Sequence, residues 1–156
     1  MSCSFTVVGA PKPLKRHRHT KSGHTYDPSV QDKHVFLEAA QASVTPPLGE
    51  PLQGPLAIHL QFLMPRPKSH YRTGKFSAEL RADAPVHHTN TPDCDNLIKL
   101  VLDALNGVFF GDDSQIGRIV AEKMYGPDTV GATRCSITHL GLPMISSDGH
   151  CQNSIT

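Results

Sequence analysis

The stretch Leu56-Ala57-Ile58-His59-Leu60-Gln61-Phe62-Leu63-Met64 gives the clearest secondary-structure signal in this chain of 156 residues. A large apolar residue occupies every second position, and alanine, histidine, glutamine and leucine fill the positions between them. Side chains of a β-strand alternate between the two faces of a sheet, so this pattern predicts a strand with one buried face. We expect the strand to contribute a row of apolar side chains to the core.

Further elements are predicted on both sides of this strand. Residues 93–106 place apolar side chains at helical spacing, and Gly107 follows where helices commonly end. Strands are predicted from Phe5 to Gly9, over 116–125 and over 133–140. With a second helix described next, the expected fold class is α+β: a small mixed β-sheet of four to five strands packed against two helices.

The second helix is predicted over residues 27–43. Asp27-Pro28 is typical of an N-cap residue followed by proline at the first helical position, and Pro46-Pro47 ends the run. One stripe of this helix contains Val30, His34, Leu37 and Ala40 or Gln41, and we expect it to face the core.

Length and composition predict a single domain over residues 1–140. It includes a basic amino-terminal arm (10–25) and a long basic loop (65–92) that shows no sustained period, while the tail (141–156) is expected to be disordered. The four cysteines form no CxxC pair, and no apolar run suits a signal peptide or a membrane span. These features favour a cytoplasmic protein that is neither secreted nor bound to a membrane.

The net charge of +1 conceals a strong sorting of charge along the chain. Residues 11–24 contain five lysines and arginines and no acid, and residues 66–81 contain five against one glutamate. Between 93 and 113 the sign reverses, with five aspartates against one lysine. Basic segments attract polyanions, and an acidic centre attracts phosphate once a metal ion is bound. The pattern therefore indicates a nucleotide or phosphodiester substrate.

The acidic centre has the composition of a magnesium site. Asp93 and Asp95 fall in the first turn of the predicted helix, and the turn Gly111-Asp112-Asp113 can return a third carboxylate to the same place. Three oxygen donors from two segments suit Mg²⁺. A purely structural interpretation is also open, because aspartates cap helices and form turns without any further function.

Other site types fit the sequence less well. An EF-hand is excluded because Ile98 stands where that loop needs glycine and Ala104 stands where it needs a bidentate glutamate. His87, His88 and Cys94 lie close together, but no second pair at zinc-finger spacing accompanies them. No P-loop and no GxSxG motif is present.

Several of these motifs resemble the signature of the RusA family of Holliday-junction resolvases. The resemblance extends loosely over residues 5–140 and departs from the family in its long 65–92 loop and its added tail. Its specific residues are Pro92-Asp93-Cys94-Asp95-Asn96-Leu97-Ile98-Lys99, Asp103-Ala104-Leu105-Asn106, Asp112-Asp113-Ser114-Gln115-Ile116, Lys123, and, near the amino terminus, Pro11-Lys12-Pro13, Lys15-Arg16 and Tyr26-Asp27.

The resemblance implies a homodimeric, Mg²⁺-dependent endonuclease, with Mn²⁺ as an alternative ion, that cuts four-way DNA junctions by paired symmetric nicks. Asp93, Asp95 and Asp113 would be catalytic acids and metal ligands, Asp112 an additional candidate ligand, and Lys99 the catalytic lysine. The apolar strand 56–64 is one candidate for the dimer edge. The expected DNA contacts are Lys12, Lys15, Arg16, Arg18, Lys21, Arg66, Lys68 and Arg72.

Two alternatives stay open alongside this interpretation. One is a Mg²⁺-dependent nuclease or phosphohydrolase without junction preference, and the other is a DNA-binding protein without catalytic activity. Within the long loop, Tyr71 and Phe76 could stack on unpaired bases or could equally anchor the loop to the core.

Overall fold

A computed structural model describes residues 2–141. The predicted tail therefore lies outside the described residues, except for Gly141. The main elements are β1 (Ser2–Val8), β2 (Arg18–His19), β3 (Thr25–Tyr26), α1 (Val30–Ser43), β4 (Leu56–Met64), α2 (Cys94–Leu105), β5 (Ile116–Tyr125) and β6 (Ala132–His139). Three short 3-10 helices occupy Lys68–His70, Gly74–Phe76 and Asp113–Gln115.

The main sheet is mixed and has the strand order β1-β6-β4-β5. β6 runs antiparallel to both β1 and β4, whereas β5 runs parallel to β4. A separate pair, β2 and β3, forms a small antiparallel hairpin within the basic arm. The predicted α+β class, with a mixed sheet and two helices, is confirmed.

β4 is an interior strand of this sheet. Leu60, for example, pairs with Cys135 on one side and with Ala121 on the other. The suggestion that residues 56–64 form the edge at which two copies meet is therefore wrong, because both sides of the strand are already hydrogen-bonded. The edges of the main sheet are β1 and β5.

Alternation along β4 produces the core. Leu56, Ile58, Leu60 and Phe62 are at most 1% exposed and belong to one apolar cluster with Leu97, Val101 and Leu105 of α2. Burying a side chain of this size stabilises the fold by about 1.5–3 kcal/mol. Because one stripe of α2 is held in the core, its opposite stripe is left exposed to solvent.

The first helix forms and ends at Ser43 as expected, but it begins at Val30 with Ser29 as its N-cap, so the predicted N-cap at Asp27 is wrong. Only part of the predicted stripe faces the core. Val30 is 61% exposed, and the buried residues are Phe36 and Ala40. Phe36 packs edge-on against Phe5 of β1 with ring centroids 6.1 Å apart. An aromatic ring buries more apolar area than a valine, so Phe36 sets the orientation of the helix. The prediction is therefore wrong for Val30 and His34, which are exposed, and right for Leu37 and Ala40, which pack in or against the core.

Candidate functional site

The first turn of α2 presents two exposed carboxylates. Asp93 is the N-cap residue, and its carbonyl accepts from the Leu97 amide at 3.2 Å. Its side chain accepts no capping hydrogen bond within residues 2–141, so its carboxylate is open to another partner. Asp95 follows in the first turn with 66% of its side chain exposed. The positive end of the helix dipole favours both charges.

Lys99 lies one turn after Asp95 on the same exposed face. Its Nζ is 3.5 Å from Asp95 Oδ2, and both side chains are more than half exposed. An exposed pair at this spacing contributes at most about 0.5 kcal/mol to stability. The position of Lys99 therefore has little structural value, and its ammonium is available to a phosphate.

The turn at Asp112-Asp113 is held in a capping box. The Ser114 amide donates to Asp112 Oδ1 at 3.0 Å, and the Asp112 amide donates to Gln115 Oε1 at 3.0 Å. Gln115 Nε2 in turn donates to the carbonyls of Leu52 and Gly54. The turn is thus fixed to the chain before β4. Asp112 stabilises the turn as its cap, and Asp113 is exposed to solvent.

Asp112 and Asp113 are close enough to change each other's ionisation. A side-chain hydrogen bond with Asp112 and repulsion from Asp112 and Asp103 raise the pKa of Asp113. The Ser114 amide holds the pKa of Asp112 below its usual value. Crowded, exposed carboxylates of this kind have the donor chemistry that suits a hard divalent cation.

The described residues nevertheless do not gather the three predicted ligands into one ready cluster. Asp113 is within electrostatic reach of Asp103, which lies eight residues beyond Asp95 on α2. At 1.5 Å per residue, that separation is about 12 Å along the helix. Within residues 2–141, no group of three or more His, Cys, Asp or Glu side chains is placed to hold a metal ion. The donor types fit Mg²⁺, but the expected convergence of Asp93, Asp95 and Asp113 is not preassembled.

Lys123 fixes the segment that leads into Asp93. Its Nζ donates to the carbonyls of Asn90 and Pro92, both at 2.6 Å. The sequence motif includes this lysine but gives it no role. In the structure Lys123 pairs with Phe62 on the core face of β5, where a charged residue needs a specific partner. The signal in the sequence is that Lys123 takes an alternate position of that strand between Ala121 and Tyr125, two residues of the same face.

The basic arm lies against the acidic helix. The Leu14 amide donates to the Asn96 carbonyl at 2.9 Å, which places the arm beside the residue that follows Asp95. Lys12 and Lys15 both pair with Asp32 of α1. Arg16, Arg18 and Lys21 are exposed in and around the β2–β3 hairpin. The arm thus lies beside the start of α2 at Leu14, and its cationic side chains pair on α1 or face solvent.

Arg66 is buried and bonds to other parts of the protein instead of facing solvent. It is 6% exposed, donates to the carbonyls of Gly126 and Pro85, and lies over the Tyr125 ring at 5.1 Å. These contacts attach the long loop to β5 and remove Arg66 from the DNA-contacting set that the sequence indicates. Lys68 and Arg72 are exposed.

Carboxylates that suit a divalent cation and exposed cations that attract phosphates are thus present on one α+β domain, which is compatible with chemistry at a phosphodiester. The chain belongs to the endodeoxyribonuclease RusA family, whose family model matches residues 6–134. Membership places it among nucleases that resolve Holliday junctions, act on branched DNA and generally depend on a divalent metal.

One relative is similar to this chain over most of its length. The chain is 32% identical over 132 residues to the protein "Uncharacterized protein YqaN" of Bacillus subtilis (strain 168), covering 82% of this chain and 92% of that protein. The similarity therefore extends over nearly the whole relative.

Among residues 2–141, no helix is long and apolar enough to span a membrane.

Proposed function

We propose that this protein is a Mg²⁺-dependent, structure-selective endonuclease that resolves four-way DNA junctions by paired symmetric nicks in DNA recombination and repair. The observation that supports it most is the backbone hydrogen bond between Leu14 and Asn96, which holds the basic arm beside the first turn of α2, where Asp93 and Asp95 lie. DNA phosphates drawn to the arm are thereby brought beside Asp95 and Lys99.

The proposed ligands of the cation are Asp93, Asp95 and Asp113, with Asp112 as the neighbouring acid. When bound, Mg²⁺ supplies activation of water and neutralisation of charge at the scissile phosphate. Lys99 donates a hydrogen bond to a non-bridging phosphate oxygen, where negative charge increases in the transition state. Since the acids lie on two segments that do not form a ready cluster, binding of one ion by all three requires the 112–113 turn and the first turn of α2 to move closer together.

We further propose that two copies act together. Symmetric nicks require two equivalent sites, and a two-fold dimer provides them. The proposed DNA contacts are Lys12, Lys15, Arg16, Arg18, Lys21, Lys68 and Arg72, all with exposed side chains.

Cleavage of a synthetic four-way junction, compared with duplex and single-stranded controls in Mg²⁺, tests the proposal. We expect symmetric nicks in the junction alone, and loss of cleavage with retained binding in Asp95→Asn. Glu38→Gln on α1 is the matched control, because it neutralises an exposed acid that pairs only with His34 among the described residues. Equal cutting of all substrates would favour a nuclease without junction preference, and binding without any cutting would favour a DNA-binding protein.

A further inference from the structure

The long loop contains a folded projection, residues 70–81, which we call the finger. The Arg81 amide donates to the His70 carbonyl at 2.9 Å, and the Arg72 amide donates to the Glu79 carbonyl at 2.8 Å. Gly74–Phe76 forms a 3-10 turn at its tip. The finger is thus cross-linked by backbone hydrogen bonds, in contrast to the irregular loop that the sequence indicates.

The base of the finger is attached to the body of the protein. The Tyr71 hydroxyl donates to the Pro127 carbonyl at 3.3 Å, and the His70 ring packs edge-on against Tyr125 at 4.7 Å. Buried Arg66 strengthens the same junction. Tyr71 therefore anchors the loop, as one of the two sequence interpretations allowed, and the tip is carried on a defined support.

One side of the finger forms an open groove of about 430 Å³. Phe76 is 38% exposed, and the Arg72 guanidinium lies over its ring at 4.1 Å. Glu79 fixes Arg72, and Asp83 fixes Arg81 through two hydrogen bonds. Both arginines remain about half exposed, at 46% and 54%. The groove is lined by Tyr71, Arg72, Thr73, Phe76 and Arg81.

We infer that this groove binds one unpaired nucleotide of the DNA substrate, with its base stacked on Phe76 and its phosphate held by Arg72 and Arg81. The inference rests on the proposed function and identifies which part of a branched substrate the finger contacts. A partly exposed aromatic ring, with one guanidinium over it and a second lining the same groove, matches a base joined to a phosphate, whereas fully paired DNA keeps its bases stacked inside the duplex. Base stacking is interrupted where four strands exchange, so the base pairs at the branch point are the ones that open at the lowest energetic cost.

Photocrosslinking tests the groove without requiring cleavage. Four-way junctions carry 5-iododeoxyuridine at successive positions around the branch point, and the protein is bound in the absence of divalent cations. We expect a crosslink to Phe76, mapped by mass spectrometry. Phe76→Leu should weaken binding of the junction about tenfold through lost stacking, while Phe76→Tyr retains it. Val86→Ala, an exposed apolar residue of the same loop outside the groove, is the control.

The outcomes separate this inference from the proposed function. Junction binding with no crosslink inside residues 70–81, or equal affinity of Phe76→Leu and the unsubstituted protein, would overturn the groove even if the junction is cut. A crosslink to Phe76 in a protein that cuts no junction would support the groove while overturning the nuclease. Failure to bind junctions at all would overturn both.

Discussion

At the scale of single residues, Lys99 makes no contact on which the stability of the fold depends. Its weak pair with exposed Asp95 adds little to stability, so its substitution separates chemistry from folding. We expect Lys99→Met to lower the single-turnover cleavage rate about a hundredfold, because a donor to the charged transition state is lost.

The unfolding midpoint and junction affinity of Lys99→Met should stay close to those of the unsubstituted protein. Lys33→Met is the contrasting variant, because Lys33 pairs with Asp27 and Asp103 and its loss should change stability more than rate. An unchanged cleavage rate in Lys99→Met would exclude Lys99 from catalysis.

His88 gives a prediction about pH. Burial, and then the positive charge of Lys123, lower the pKa of His88 below its ordinary 6.5, and its Nδ1 atom is buried without a partner among the described residues. A lowered folded-state pKa means that protonation favours the unfolded state. The free energy of unfolding should therefore be level above about pH 6.5 and fall as the pH drops through the folded pKa of His88.

Denaturant titrations measure this effect between about pH 7.5 and about pH 5, which is roughly one unit above and one and a half units below the ordinary histidine pKa. His88→Asn should flatten the fall, whereas His24→Asn, in an exposed turn, should leave it unchanged. The carboxylates with lowered pKa values, Asp27, Asp32, Asp112 and Asp128, lose their contribution only at much lower pH. An identical pH profile for His88→Asn would assign the fall to other groups.

At the scale of elements, Lys123 connects β5 to the start of α2. Its two hydrogen bonds to the Asn90 and Pro92 carbonyls are the contacts that fix the chain just before Asp93. Lys123→Met leaves both carbonyls without this donor, at a cost of about 1–3 kcal/mol in the free energy of unfolding. We expect cleavage to fall further than stability explains, because Asp93 loses its fixed position.

The measurement is cleavage by Lys123→Met under conditions where thermal unfolding shows that the variant is fully folded. Gln61→Met is the matched control, since it removes another side-chain hydrogen bond of the sheet, to Glu122, away from α2. Normal cleavage by folded Lys123→Met would show that the segment before Asp93 holds its position without the lysine.

The elements that the sequence predicted well are those with strong local patterns. The alternation along β4 predicted both ends of the strand, Leu56 and Met64, correctly. The spacing in α2 predicted a helix that ends at residue 106, and the observed helix ends one residue earlier, at Leu105. The orientation of α1 was not predictable in this way, because it depends on Phe5 of a distant strand. The finger was missed because its cross-links are backbone hydrogen bonds, which leave no periodic side-chain pattern.

At the scale of the whole molecule, strand order and the assembly of the site depend on long-range pairing. The sequence indicated a mixed sheet, but the position of β4 between β6 and β5 follows from how α2 crosses from one parallel strand to the next. The same crossing places Asp95 and Asp113 on different segments, and their separation could not be estimated from the acidic residues alone. Composition identified the donors, and topology determines the distances between them.

Charge sorting across the molecule yields a last prediction, on the salt dependence of binding. Each phosphate contact that releases a counterion contributes about 0.9 to the slope of log affinity against log salt concentration. Replacing exposed Arg16, Arg18 and Lys21 with alanine should therefore reduce that slope by up to about 3 on a four-way junction. Arg66→Met should leave the slope unchanged and lower the unfolding midpoint, because its guanidinium bonds to Gly126 and Pro85 inside the protein. Fluorescence anisotropy over a salt series measures the slopes, and a reduction caused by Arg66→Met but not by the arm variant would show that DNA lies along the loop instead of the arm.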